Sequence, residues 1–555
     1  MIESNSMPWI GLILGYGFLT HGIILLNDGL YWDGWMLEVW QQHKDQNSMR
    51  RFFSEVGMPN LYFEHRILGR LPRKVAYRMV SLASILVIAV SVFLTAVYTN
   101  AFNPLQATVI SLLLLSYPAY AVTFDRVVSL QYTFKVALFY AGCFFAVTTA
   151  NHSDAASNLT FAVSLILFFV SFNANSTLVF FGGFLLFYVW LVHTMSSNGI
   201  GVYEYVKVIS MAILPFAFWI MKETLFPRHG YYENYNKVRF APFSILQVWV
   251  RAFRYGIDVP MIKPILELVG SKHASLILLL AFLGVLAFDF GKDLVARPMP
   301  ESLLILGTGY ALLLLGATPF MLIGQGSWEG GWGSKNFMLF HLPYALIVFG
   351  WLQLFPGSVG FVLIPIILFA NALYIVKIHL LFIAASTKDK ALIRWLTANP
   401  QLSSASVIKI RDSHWIECPF ERKSTMYRPA YLSCMVKLVW PDSRILAVLD
   451  NWVSSGGRPL TAGEIEEALE ITTIRYSFAP QVQPGSQYLV AIGAPDHRFD
   501  GPKFDRTSDE HGDVHPSKQP AMVRIALEYL YLKWFSPHRL GSLFENHFSF
   551  CASKL

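Results

Sequence analysis

Charge is what this chain has least of. Only 14% of its 555 residues are Asp, Glu, Lys or Arg, where a soluble domain carries about 25%. Hydrophobic residues make up 54%. A charge facing hydrocarbon costs several kcal/mol, so a deficit of this size marks a surface that meets lipid. An ordinary soluble globule is excluded. Cysteine is scarce too. Cys143, Cys418, Cys434 and Cys551 form no CxxC pair and no metal-ligand spacing, which excludes zinc-ribbon and thioredoxin-like chemistry. Cys418 and Cys434 stay open between a disulfide outside the cytosol and two free thiols. No Lys/Arg-rich run is present, so the net charge of +7 does not point to nucleic acid. It fits lipid headgroups or an anionic substrate. The GxxxxGK[ST] pattern is missing, as is any repeat of fixed period. The N-terminus lacks a positive n-region and a small-residue cleavage site, so Pro8–Leu26 reads as a retained helix.

Long apolar runs are what the chain does have. A membrane span needs about 20 mostly apolar residues. Candidates lie at 7–27, 79–99, 105–123, 130–149, 159–172, 176–193, 205–222, 274–290, 301–323, 338–355 and 358–384. The expected fold class is an all-α polytopic membrane protein of about eleven spans, followed by a soluble α/β domain at 400–555. The pair 159–172 and 176–193 is open between two short helices and one broken re-entrant element. The composition turns polar near residue 385. In the tail, Tyr431–Trp440 and Gln487–Ile492 read as strands, and 462–470 and 520–535 as helices. The tail acids and histidines between His497 and His515 show no ligand spacing and read as a solvated turn.

Two loops are long, 28–78 and 223–273, and a third, 324–337, is chemically dense. Eleven spans counted from a cytoplasmic N-terminus place all three loops and the tail on the far side, which favours one shared active face. The Lys and Arg count opposes that orientation, because Arg50, Arg51, Arg66, Arg70, Arg73, Lys74 and Arg78 would all lie outside.

The first loop opens LNDGLYWDGW. Asp28 and Asp33 stand at the membrane surface among Tyr31, Trp32 and Trp35. Carboxylates there serve as a general base, a metal ligand or an acceptor clamp. Aromatic surroundings that desolvate a carboxylate raise its pKa and favour such work. An interfacial aromatic belt with an Asp-Gly turn is the structural alternative. The stretch 50–78 reads as basic amphipathic pieces lying in the interface. Asp125-Arg126 is open between a helix-end ion pair and a phosphate contact by Arg126. In KETLFPRHGYYENYN, Arg228 and His229 are candidate phosphate ligands. Tyr231, Tyr232 and Tyr235 offer flat faces for sugar rings, with Glu233 beside them. In GQGSWEGGWGSKNF, Trp328, Glu329 and Trp332 sit among glycines that permit close backbone approach, and Lys335 offers a point charge for phosphate.

An acidic pair just after the first span, in a long loop with interfacial helices, resembles the GT-C class of membrane glycosyltransferases. The resemblance covers the layout of about residues 1–385. Its residues are Asp28, Asp33, the Arg228–Tyr235 loop and the 324–337 loop. It implies sugar transfer from a lipid-phosphate carrier, the donor partner, to an acceptor at the external face of a bacterial plasma membrane. A first-loop acid acts as base or orients the acceptor. The family's adjacent acidic pair is replaced here by two Asp five positions apart, which leaves open which one is the base. A divalent metal cofactor stays open, with no motif behind it. Membrane lipids are expected partners and nucleic acid is not. Two rivals remain: a transporter or flippase, and a structural subunit of a larger assembly that docks through its tail.

Overall fold

A computed structural model describes residues 6–71, 73–118, 125–150, 152–174, 176–195, 201–233, 242–269, 299–323, 337–355, 357–412, 429–441, 443, 445–449, 487–493 and 519–554. The protein is mostly helical. Seven described helices are long and apolar enough to cross a membrane: Met7–Leu26, Val75–Tyr98, Arg126–Thr148, Thr177–Met195, Val202–Leu225, Met299–Leu322 and Val362–Ala398. Pro104–Leu115, Ala155–Ser171 and His341–Leu354 are apolar but shorter. The expected span at 274–290 lies outside the described residues.

Helix starts follow local chemistry. Asn103 accepts from the Gln106 amide at 2.9 Å and is followed by Pro104, whose missing N–H costs nothing there. Asp154 caps Ala155–Ser171 through the Ser157 amide at 3.0 Å. Ala155–Ser171 and Thr177–Met195 form two helices, and the Thr177 hydroxyl donates to the Ser171 carbonyl at 3.0 Å.

The chain is organised as two units. The first comprises residues 1–25, 75–228 and 232–376. Its core is heavily aromatic, with Phe168 packed on Phe139, Phe181 and Phe184. The helices Met299–Leu322 and His341–Leu354 meet through glycine. A Cβ on Gly309 would lie 3.0 Å from the Ile347 amide nitrogen, and one on Gly350 would lie 3.1 Å from the Leu306 Cα. Small residues allow such close approach where no water drives association. Some polar side chains inside this unit reach partners on other segments. Asn371 donates to the Tyr344 hydroxyl at 2.8 Å, and the Lys207 ammonium donates to the Thr149 carbonyl at 2.7 Å.

The second unit comprises residues 26–74, 229–231 and 377–555. It therefore holds most of the first long loop, the far end of the Gly357–Ala398 helix, and the tail. Its sheet has strands β1 (Val407–Asp412), β2 (Leu446–Leu449), β3 (Gln487–Gly493) and β4 (Ser549–Lys554), in the order β2-β1-β3-β4. β1 runs parallel to β2 and β3, and β4 is antiparallel to β3. Central β1 buries Val407, Ile408 and Ile410, as expected for a strand paired on both sides.

The Gln487–Ile492 strand and the helix near 520–535 appear as read from the sequence, while 462–470 lies outside the described residues. Tyr431–Trp440 does not appear as a strand. Residues Pro429–Val439 form a helix. Its β-branched and aromatic content suggests a strand, but Tyr431, Leu432, Met435 and Val436 recur at helical spacing and are all buried. Pro429 supplies a ready helix start.

Candidate functional site

The turn that carries the two first-loop acids is held rigidly within the second unit. Asn27 accepts, through its side-chain oxygen, from the Gly29 amide and from the Tyr31 hydroxyl, both at 2.9 Å. The Tyr31 hydroxyl also reaches the Phe382 carbonyl at 2.6 Å. A Cβ on Gly29 would lie 2.3 Å from the Tyr31 hydroxyl and 2.6 Å from Ser386 Cβ, so only glycine fits. Trp32 is buried with φ +41, a backbone conformation that large side chains rarely adopt. Its ring meets Phe382 edge-on at 5.7 Å. Strain of this kind costs about 1–3 kcal/mol and survives where the surroundings over-determine it.

Asp28 is gripped by three donors from two distant helices. Lys390, from the Gly357–Ala398 helix, donates to one carboxylate oxygen. Lys533, from the Gln519–Phe535 helix, pairs with the other at 3.3 Å. Tyr529, one turn before Lys533, donates to both oxygens at 3.2 Å. Lys390 also donates to the Tyr529 hydroxyl and lies 4.4 Å from its ring centroid. Burial, then the charge of Asp28, pushes the Tyr529 phenol well above its ordinary value. The phenol therefore stays protonated and able to donate. Side-chain exposures of 19% for Asp28, 25% for Lys390 and 27% for Lys533 leave the cluster partly exposed. Two ammonium groups converging on one point also suit phosphate oxygens.

Asp33 stands at the start of the Gly34–Gln42 helix, but its side chain makes no capping bond there. It accepts instead from the Tyr431 hydroxyl at 3.1 Å. One turn along the Pro429–Val439 helix lies Cys434, a buried free thiol. Burial and then the negative charge of Asp33 push that thiol up to about 12, against a downward pull from Lys437. Cys418 lies outside the described residues. The acids thus sit on one turn with different surroundings: Asp28 within a cationic clamp, Asp33 beside a phenol and a thiol.

The other predicted residues divide by place. Asp125 caps the turn that begins at Arg126, accepting from the amides of Val127 and Val128 at 2.8 and 3.2 Å. The Arg126 guanidinium is buried and lies 5.4 Å from the Tyr77 ring centroid. Both belong to the first unit. Arg228, Tyr232 and Glu233 also fall in the first unit, and His229 and Tyr231 in the second. The His229 amide donates to the Glu55 carbonyl at 3.3 Å, which ties 229–231 to the helix Gln46–Glu55. Trp328, Glu329, Trp332, Lys335 and Tyr235 lie outside the described residues, as do His497 to His515. Among the described residues no group of three or more His, Cys, Asp or Glu is placed to hold a metal ion.

Sequence reading passed over Lys390, Tyr431, Tyr529 and Lys533. Lys390 carried a visible signal. The stretch STKDK interrupts an apolar helix that resumes with Ala391, Leu392 and Leu396, all buried. Charges inside such a pattern need partners. Tyr529 and Lys533 share a helix face by their spacing of four, but nothing local points to Asp28. No family model, no curated protein and no solved structure matches this chain.

Proposed function

We propose that the protein is a GT-C-like membrane glycosyltransferase. It moves a sugar from a lipid-phosphate carrier to an acceptor at the external face of a bacterial plasma membrane. The seven long helices, the three shorter apolar ones and the 274–290 stretch make eleven spans in this reading. The observation that carries it is the rigid turn from Asn27 to Gly34, which presents two carboxylates in unlike surroundings beside convergent lysines. Asp33 takes the proton of the acceptor hydroxyl as the new bond forms to the anomeric carbon. The bond from that carbon to the carrier phosphate breaks, and the phosphate leaves with its electron pair. Asp28, fixed by its clamp, orients the acceptor. Arg228, His229, Lys335 and Arg126 are the candidates read from the sequence to hold the departing phosphate, and within the second unit Lys390 and Lys533 are candidates beside Asp28. Tyr231, Tyr232, Glu233, Trp328, Glu329 and Trp332 are assigned to the sugar. A lipid donor suits this layout, because its isoprenoid stays in the bilayer while its phosphate reaches the loops.

A structural subunit is the second reading, and one observation favours it. Three donors on a single carboxylate also make a good staple between the first loop and the tail. The test is turnover of a panel of radiolabelled polyprenyl-phosphate sugars by the purified protein in nanodiscs. Donor consumption that depends on the protein supports the enzyme. Absence of both binding and turnover across the panel, in a protein with an intact melt, supports the staple.

A further inference from the structure

The tail helix Gln519–Phe535 is apolar on both sides. One side faces inward, with Ile525, Ala526, Tyr529 and Leu532 buried. The opposite side is bare. Leu527, Tyr531, Trp534 and Phe535 are 53%, 60%, 62% and 75% exposed and recur at spacings of three and four, so they form one continuous stripe. Arg524 lies at its start, and exposed His538 and Arg539 follow its end. A contiguous apolar patch of this kind marks a surface that something covers.

We propose that this stripe lies in the interfacial layer of an anionic bilayer. Its composition fits that occupant. Trp and Tyr place an apolar body and a polar tip at headgroup level, and flanking Arg and His meet anionic lipid. A second apolar stripe with basic residues beside it stands on the same unit. In the helix Pro59–Leu68 and the residues just after it, exposed Phe63, Ile67 and Leu71 alternate with exposed Arg66 and Arg70. The unit also contains residues 377–398 of a candidate membrane span, so its own chain brings it to the bilayer. Two arginine-flanked apolar stripes on a unit that its own chain already carries to lipid favour a bilayer as the occupant over a soluble protein. The inner face of the tail helix holds Asp28 through Tyr529 and Lys533, so lipid contact on its outer face would steady that clamp. The inference stands apart from the sugar-transfer reading, because a scaffold would use the same surface.

The test uses the full chain with its native cysteines replaced. Nitroxides are placed by Leu527→Cys, Tyr531→Cys or Phe535→Cys, and by Ser542→Cys as an exposed control. Collision with oxygen and with a water-soluble nickel chelate is read in nanodiscs of phosphatidylcholine and of phosphatidylglycerol. The expected result is a shift toward oxygen and away from nickel at all three stripe positions and not at 542. The shift should be larger in phosphatidylglycerol and reduced by the pair Arg524→Gln and Arg539→Gln. Water-like collision at the stripe in both bilayers overturns the proposal. So does dipolar broadening between labels on two chains, which would show that a second copy covers the stripe.

Discussion

Tyr529 donates to both carboxylate oxygens of Asp28, at 3.2 Å each, across 501 positions of chain. This bond and the Lys533 pair connect the first residues after the first span to the last long helix of the tail. The first loop and the tail therefore fold as parts of one unit.

Asp28 and Lys533 should be energetically coupled. Breaking a fully buried ion pair costs about 3–5 kcal/mol, but a quarter of Lys533 remains in water, so about 1–2 kcal/mol is expected for Lys533→Met. Thermal or denaturant melts of Asp28→Asn, Lys533→Met and the double variant measure the coupling. Additive losses would show that the two side chains do not act together.

Gly29→Ala should destabilise the second unit by about 1–3 kcal/mol, the usual cost of overpacking. The added carbon would collide with Tyr31 and Ser386. Pairing it with Ser386→Gly, which vacates one of the two clashes, should recover part of the loss. A melt of Gly29→Ala indistinguishable from wild type would contradict the packing described for this turn.

Cys434 gives a pH signature. Its thiol pKa is raised from the ordinary 9.0 to about 12 in the folded protein. Below pH 9 both folded and unfolded chains keep the proton. Between 9 and about 12 only the unfolded chain releases it, so stability falls as pH rises through that window. Cys434→Ala should show a shallower loss over the same range. In a chain retaining only this cysteine, maleimide should label it slowly at pH 8 until denaturant is added. Fast labelling of the native protein would remove the basis for a buried thiol beside Asp33.

The helical membrane character could be read directly, because lipid leaves a compositional mark along every span. Asp28 and Asp33 could be picked out because acids at a lipid surface are costly and because Trp and Tyr surround them. Their partners could not. Tyr431, Tyr529 and Lys533 reach the turn from the tail, and a contact over hundreds of residues has no local period. The Tyr431 segment was further hidden because Tyr, Val and Trp suit a strand as well as a packed helix face. Lys390 stood between these cases. Its helix continues past the membrane run, and only the buried pattern on both sides of STKDK shows that the charges point inward.

The most direct test of the account is sugar transfer by Asp33→Asn, measured beside Asp28→Asn and wild type in nanodiscs with a polyprenyl-phosphate sugar that wild type consumes. Asn keeps the size of Asp33 and can still accept from Tyr431, but it cannot take a proton. General-base assistance is worth about 10²–10⁴-fold in rate. The account predicts that Asp33→Asn loses at least about a hundredfold in turnover with an unchanged melt, while Asp28→Asn loses both activity and stability. Near-wild-type turnover by Asp33→Asn would contradict the catalytic assignment.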